Sequence, residues 1–255
     1  MNQLTEQVWN IHSYRLTGVK IGESDDLAIC FPGFSLSAQW MAAHYPALFQ
    51  NKSCYMLNWP GLGEESLDDT PFDLEILSDW IAEIISIKNW RSISMICHSF
   101  GSRVGLLLFE KHRFDHAILI APVVKIRIWE PLMRFVPMLA YQSIVAKVFS
   151  ENFIENSVKM ADRLGWLSKE DKIFLYSHFN SPKMIQFLRH YAIAIKQLNL
   201  PKAKIMRIIK DITKCKIYLF TKDKFCDNGF WEELAKQNKN CELVIKNAGH
   251  FGRLR

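Results

Sequence analysis

Ile93-Ser94-Met95-Ile96-Cys97-His98-Ser99-Phe100-Gly101 reads as an apolar strand that runs into small-x-Ser-x-Gly and passes straight into a helical pattern. That is the context for a sharp strand-to-helix turn with a serine oxygen exposed at its tip. Small flanking residues let the backbone fold tightly. The helix that follows aims the positive end of its dipole at the turn. A serine at a strand end can also do no more than cap the next helix, so the motif has to be weighed against the rest of the chain.

Working outward, the neighbouring segments repeat the same grammar. Leu27-Ala28-Ile29-Cys30-Phe31 is a continuous apolar run closed by Pro32-Gly33, and Cys54-Tyr55-Met56-Leu57 and Ala117-Ile118-Leu119-Ile120 are similar. Unbroken apolar runs of this length are what strands buried on both faces look like. Between them lie helical patterns: Trp40, Met41, His44 and Leu48 after a capping Ser37, then Leu74, Leu77, Trp80, Ile81, Ile84 and Ile85 opened by Thr70-Pro71. Residues 8–22 suggest a short hairpin with poor alternation. The alternation resumes at Cys215–Phe220, a helix around Phe230–Gln237 and Leu243-Val244-Ile245. Strand and helix alternating at close spacing predict an α/β fold with a doubly wound parallel sheet.

Between Val124 and Lys210 no strand pattern appears, and helical runs rich in Met and aromatic residues take over. The expected organisation is therefore a core in residues 1–123 and 211–255, with a helical cap inserted at 124–210. The 255 residues suffice for one such domain. A hydrophobic share of 49% with 23% charged residues is that of a folded chain, not a disordered one. Six cysteines lack C-x-x-C spacing and sit in or beside apolar runs, which predicts free thiols acting as small hydrophobes, with no disulfide framework and no metal site. Met1–Glu6 has neither the basic nor the apolar region of a secretory signal, and no run of eighteen apolar residues predicts a membrane span. The expectation is a cytoplasmic protein. Nothing predicts a cofactor or a nucleic-acid partner.

A serine nucleophile needs a base, and the base needs a group to orient it. Asn247-Ala248-Gly249-His250 follows the last strand, and Thr221-Lys222-Asp223 follows the strand ending at Phe220. Ser99, Asp223 and His250 thus each follow a predicted strand, in the chain order serine, acid, histidine. Asp227, four residues on, is an alternative for the acid. His44, His98, His112, His116, His178 and His190 read as structural or surface residues.

With these residues in place the chain resembles the α/β-hydrolase superfamily over nearly all of its length. Pro32-Gly33-Phe34 matches the loop after that family's third strand, usually His-Gly-x. The resemblance implies an α/β-hydrolase fold, a mostly parallel doubly wound sheet with an inserted helical cap. It also implies an oxyanion hole made by the backbone N–H groups of Phe34 and Phe100. Trp59-Pro60-Gly61-Leu62-Gly63-Glu64-Glu65-Ser66 is similar to the family's Asp-x-Pro-Gly-x-Gly-x-Ser loop, with Asn58 where the acid usually stands and one extra residue before the serine. Cys97 replaces the usual first glycine of the serine motif.

A serine with a histidine base predicts acyl transfer to water through an acyl-enzyme, and argues against dehalogenases, which place Asp at this turn. The proposed cap carries 15 Lys/Arg against 6 Asp/Glu, while the remaining residues carry 17 against 20. The whole positive excess of the chain falls on the insertion, which predicts an acidic partner or anionic ligand. A solvated basic face with no partner is the plainer reading of the same charge. The chain is similar in length, cap placement and triad spacing to the pimeloyl-[acyl-carrier protein] methyl ester esterases of biotin synthesis. That resemblance implies a carrier-bound acyl ester as substrate and an acyl carrier protein docking on the cap, with Arg127, Arg134, Arg163, Arg189 and Arg207 as candidates for the contact. The alternatives are a carboxylesterase or thioesterase for small free esters, and a catalytically silent hydrolase-fold protein that only binds an acidic partner.

Overall fold

The computed structural model describes residues 4–34, 36–60, 73–123, 155–156, 159–160, 162–163, 198 and 200–254. Eight strands form one sheet among these residues: β1 (Leu4–Ile11), β2 (Tyr14–Ile21), β3 (Asp26–Phe31), β4 (Ser53–Leu57), β5 (Ser92–His98), β6 (His116–Ile120), β7 (Lys214–Phe220) and β8 (Cys241–Lys246). Their order across the sheet is β1-β2-β4-β3-β5-β6-β7-β8. β1 pairs antiparallel with β2 and β2 with β4; every pairing from β4 to β8 is parallel. The hairpin is longer than its sequence pattern predicts. On β1 only Trp9 and Ile11 are buried, so most of this edge strand has no burial to impose alternation.

The helices are α1 (Ala38–His44), α2 (Leu74–Ser86), α3 (Phe100–Leu108), α4 (Lys202–Asp211) and α5 (Asn228–Gln237). Ser37 caps α1 as expected, its Oγ accepting from the Trp40 amide at 3.0 Å. α2 starts later than Thr70-Pro71 would place it. Asp73 is its N-cap, with Oδ1 accepting from the Glu75 amide at 2.8 Å, and residues 61–72 lie outside the described residues. An acceptor at the N-cap satisfies one of the orphan amides of the first turn, which is why the aspartate sets the boundary. The buried stripe of α2 is Ile76, Leu77, Trp80, Ile81 and Ile84. Each such side chain contributes about 1.5–3 kcal/mol on leaving water.

The side chains alternate between two cores. Leu27, Ile29 and Phe31 of β3 share one face with Met95 and Cys97 of β5 and with Ile217 and Leu219 of β7, under α2 to α5. Ala28, Cys30, Cys54, Met56, Ile96 and Phe220 fill the other face with α1. β3 has β4 on one side and β5 on the other, so the chain reverses its direction across the sheet at this pair. Open α/β sheets bind ligands in the crevice at the carboxyl ends of such strands. Here that crevice lies between the Pro32-Gly33-Phe34 turn and Ser99.

Candidate active site

Ser99 closes the β5-to-α3 turn with φ 51° and ψ −118°. A non-glycine residue in this region costs about 1–3 kcal/mol and is held only where its surroundings over-determine it. Three backbone bonds do so: the Ser99 amide donates to Ile120 O at 2.8 Å, and Ser99 O accepts from the amides of Ser102 at 3.0 Å and Val123 at 3.1 Å. Gly101 is needed for a separate reason, since a Cβ there would lie 2.1 Å from the Phe31 carbonyl oxygen. Cys97, the substitution for the usual glycine, is accommodated from the helix side. A Cβ on Gly105 would come within 2.6 Å of the Cys97 sulfur, so the missing side chain on α3 makes room for the extra one on β5. Burial pushes the Cys97 thiol's pKa well above its ordinary value.

The three residues singled out from the sequence meet here. His250 Nε2 is 2.7 Å from Ser99 Oγ, and His250 Nδ1 is 2.7 Å from Asp223 Oδ2. All three are buried. The other Asp223 oxygen accepts from the amides of Phe225 at 2.7 Å and Cys226 at 3.2 Å. With a carboxylate on one side of the ring, Nδ1 carries the proton and Nε2 presents its lone pair to the serine hydroxyl. Asp227, the alternative acid, faces elsewhere: it is the N-cap of α5, accepting from the Phe230 amide at 3.4 Å, and lies 3.4 Å from Lys202 Nζ.

Phe34 and Phe100 are also neighbours, their rings edge-to-face at 6.2 Å. Phe100 is the first residue of α3, where backbone N–H groups point out of the helix end. The direction of the Phe34 N–H is set by the peptide it shares with the Gly33 carbonyl, because that unit is planar. Gly33 O accepts from Trp59 Nε1 at 2.9 Å and from the Leu36 amide at 3.1 Å, which locks the plane. Trp59 was visible in the sequence only as part of a loop motif, and its indole proves to be the brace of this turn. Asn58, in the place of the usual acid, accepts from the Ala38 amide at 2.7 Å and donates to Thr17 Oγ1 at 3.3 Å, tying the start of α1 to β2.

The cap arginines fare differently. Arg127, Arg134 and Arg189 lie outside the described residues, and Arg163 is exposed. Arg207 is not brought near Ser99. It pairs with Glu110, beyond the end of α3 that points away from Ser99, and Lys204 joins the same carboxylate at 2.6 Å. Ile205, Ile208 and Ile209 of the same helix are buried in the sheet core. Among the described residues no group of three His, Cys, Asp or Glu side chains could hold a metal ion, and no helix is long and apolar enough to cross a membrane. The six thiols are free, five buried and Cys241 half-buried.

Residues 28–255 match the model of the family described as "Alpha/beta hydrolase family". The chain belongs to that family. As an α/β-hydrolase it shares its fold with distant solved structures. One is 2-hydroxy-6-oxo-6-phenylhexa-2,4-dienoate hydrolase from Rhodococcus sp. strain RHA1, 16% identical, covering 98% of this chain and 93% of its own with a TM-score of 0.60. MenH from S. aureus is 18% identical over 100% of this hydrolase and 92% of itself, with a TM-score of 0.62. Haloalkane dehalogenase DbeA from Bradyrhizobium elkani USDA94 is 14% identical over 98% and 92%, with a TM-score of 0.66. No curated protein matches the α/β-hydrolase in sequence.

Proposed function

We propose that this α/β-hydrolase is a serine carboxylic-ester hydrolase acting through an acyl-enzyme. The observation that carries the reading is the unbroken path from Asp223 through His250 to Ser99, with 2.7 Å at each step. Ser99 Oγ attacks the ester carbonyl carbon as its proton passes to His250 Nε2. The carbonyl electrons move onto oxygen, where the N–H groups of Phe34 and Phe100 are the proposed donors. Such a donor lowers the barrier by about 2.7–4 kcal/mol. Collapse expels the alcohol, which takes the proton from Nε2. Water then gives a proton to Nε2 and attacks the acyl-enzyme, and Ser99 Oγ leaves with that proton. The sum is ester plus water to acid plus alcohol. Asp223 keeps Nδ1 protonated and steadies the imidazolium formed on the way.

For the acyl group, the proposal is a pimeloyl chain on an acyl carrier protein, with its distal methyl ester as the bond cleaved. Its support is the family resemblance and the basic excess of residues 124–210, proposed as a helical cap over the site. The six free thiols accord with a reducing, cytoplasmic setting. One observation favours a second reading, a carboxylesterase or thioesterase for small free esters. α4 supplies part of the basic excess, and there Lys204 and Arg207 are engaged with Glu110, away from Ser99. The deciding assay compares methyl pimeloyl-carrier protein with free methyl pimelate and short p-nitrophenyl esters. A strong preference for the carrier-bound ester supports the first reading, and equal rates on carrier-bound and free ester select the second.

A further inference from the structure

We propose that His98 is a positioning residue for the reaction, an uncharged imidazole that couples the loop carrying the base to the turn carrying the first oxyanion donor. The inference rests on the reading of Ser99 as nucleophile, and His98 precedes that residue at the end of β5. Its side chain has no solvent exposure. Nε2 lies 3.4 Å from the His250 carbonyl oxygen, a long hydrogen bond. A carbonyl only accepts, so Nε2 carries the proton and Nδ1 holds the lone pair. Nδ1 in turn has no hydrogen-bond partner among the described residues and occupies the space of a missing side chain, because a Cβ on Gly33 would lie 2.5 Å from it. One edge of the ring therefore bonds the base loop while the opposite edge packs on the oxyanion turn. Trp40 and Tyr45, both with ring centroids at 5.6 Å, and Phe251 at 6.1 Å pack around it.

The neutral state belongs to the role. Burial holds the His98 pKa well below the usual imidazole value, with His250 and then His44 adding to that effect. The titratable groups around it are His250 on the base loop, and His44 and Tyr45 at the end of α1. Arg253 acts on His44, and Asp223 on Tyr45. His250 becomes a cation during acyl transfer, with its ring centroid 5.5 Å from that of His98. A charged neighbour would oppose that step, and a neutral donor does not.

Glutamine can place an N–H donor close to where histidine Nε2 stands, whereas leucine fills the space without one. The test measures kcat and KM on a p-nitrophenyl ester for wild type, His98→Gln, His98→Leu and Ser99→Ala, with thermal melts alongside. A displaced catalytic group costs up to about 100-fold in rate. His98→Leu should thus lose about 10- to 100-fold in kcat with KM within about two-fold, and His98→Gln should stay within about three-fold of wild type. Wild-type kcat in His98→Leu, or an equal loss in both variants, overturns the inference. If His98→Leu does not fold, His98→Asn supplies the contrast, since its amide is too short to reach the His250 carbonyl. Asparagine performing as well as glutamine overturns the inference too. Activity retained in Ser99→Ala removes the nucleophile reading itself, whereas an inactive Ser99→Ala beside a fully active His98→Leu removes only the role of His98.

Discussion

The two edges of the sheet solve opposite problems with the same residue types. At the carboxyl edge Asp223 and His250 meet out of water, and each polar atom of the pair has a hydrogen-bond partner. At the amino edge Glu110 meets Lys204 and Arg207, and Asp26 meets Arg91, in pairs whose basic members reach solvent. A cavity of about 530 Å³ opens at that second edge, lined by Phe109, Glu110, Arg113 and Arg207 among others. None of the described residues that line it has backbone at positive φ. The comparison teaches that what sets the proposed site apart is over-determined geometry and desolvation, and not volume or charge count.

The contrast is broken or sharpened most severely at the serine. Ser99→Ala should lower kcat/KM by about 10⁶-fold while the protein still folds, as removal of a triad nucleophile does elsewhere. Asp223→Asn should cost about 10⁴-fold in kcat by favouring the wrong imidazole tautomer. Asp227→Ala, by contrast, should leave kcat near wild type and remove about 1 kcal/mol of stability through loss of the α5 cap. Both are read by steady-state kinetics and chemical denaturation of the same preparations. Equal kinetic losses in the two aspartate variants would dissolve the distinction drawn between them.

Packing under the turn gives the next effect. Gly105→Ala should destabilise by about 1–3 kcal/mol through overlap with the Cys97 sulfur. Cys97→Ala in the same chain should recover part of that loss, a coupling measured by a double-mutant cycle. Strictly additive costs would mean that the contact is not what makes position 105 a glycine.

The amino edge should respond least. Arg207→Ala should change stability by no more than about 1 kcal/mol and leave hydrolysis of small esters intact. Its acid sensitivity has a defined sign. Arg91 holds the Asp26 carboxyl at about 2, below its ordinary 3.8. The unfolded chain therefore binds the proton first, and the contribution is complete above pH 3.8 and lost as pH falls toward 2. Arg91→Gln should flatten the stability–pH curve in that window, and an unchanged curve would show that the pair contributes nothing.

Much of this was readable from residues alone, for physical reasons. β3 to β6 announce themselves because strands covered on both sides read as unbroken apolar runs, and the turn motifs follow from what tight backbone requires. β1 was hard to see because only its last residues are buried. The choice between Asp223 and Asp227 could not be made from order or spacing, since both follow β7. It depends on which side chain faces a histidine 27 residues further on and which closes a helix. His98 was illegible for a similar reason: its partner is a carbonyl 152 residues away, and no residue type signals a backbone acceptor. The position of Arg207 was equally hidden, because counting charge over residues 124–210 does not show that their last helix packs on the core and pairs this side chain with Glu110.

Cys97 gives the helix that follows Ser99 a built-in clock. Its sulfur is sealed between β5 and Gly105, unionised and out of solvent, so a thiol reagent reaches it only in the moments when α3 lifts from the sheet. The modification rate of that one cysteine, followed by peptide mass, reports the free energy of opening the turn that holds Ser99. An acyl-enzyme that stiffens the turn would slow the clock, and the change could be timed without any reporter being added to the protein.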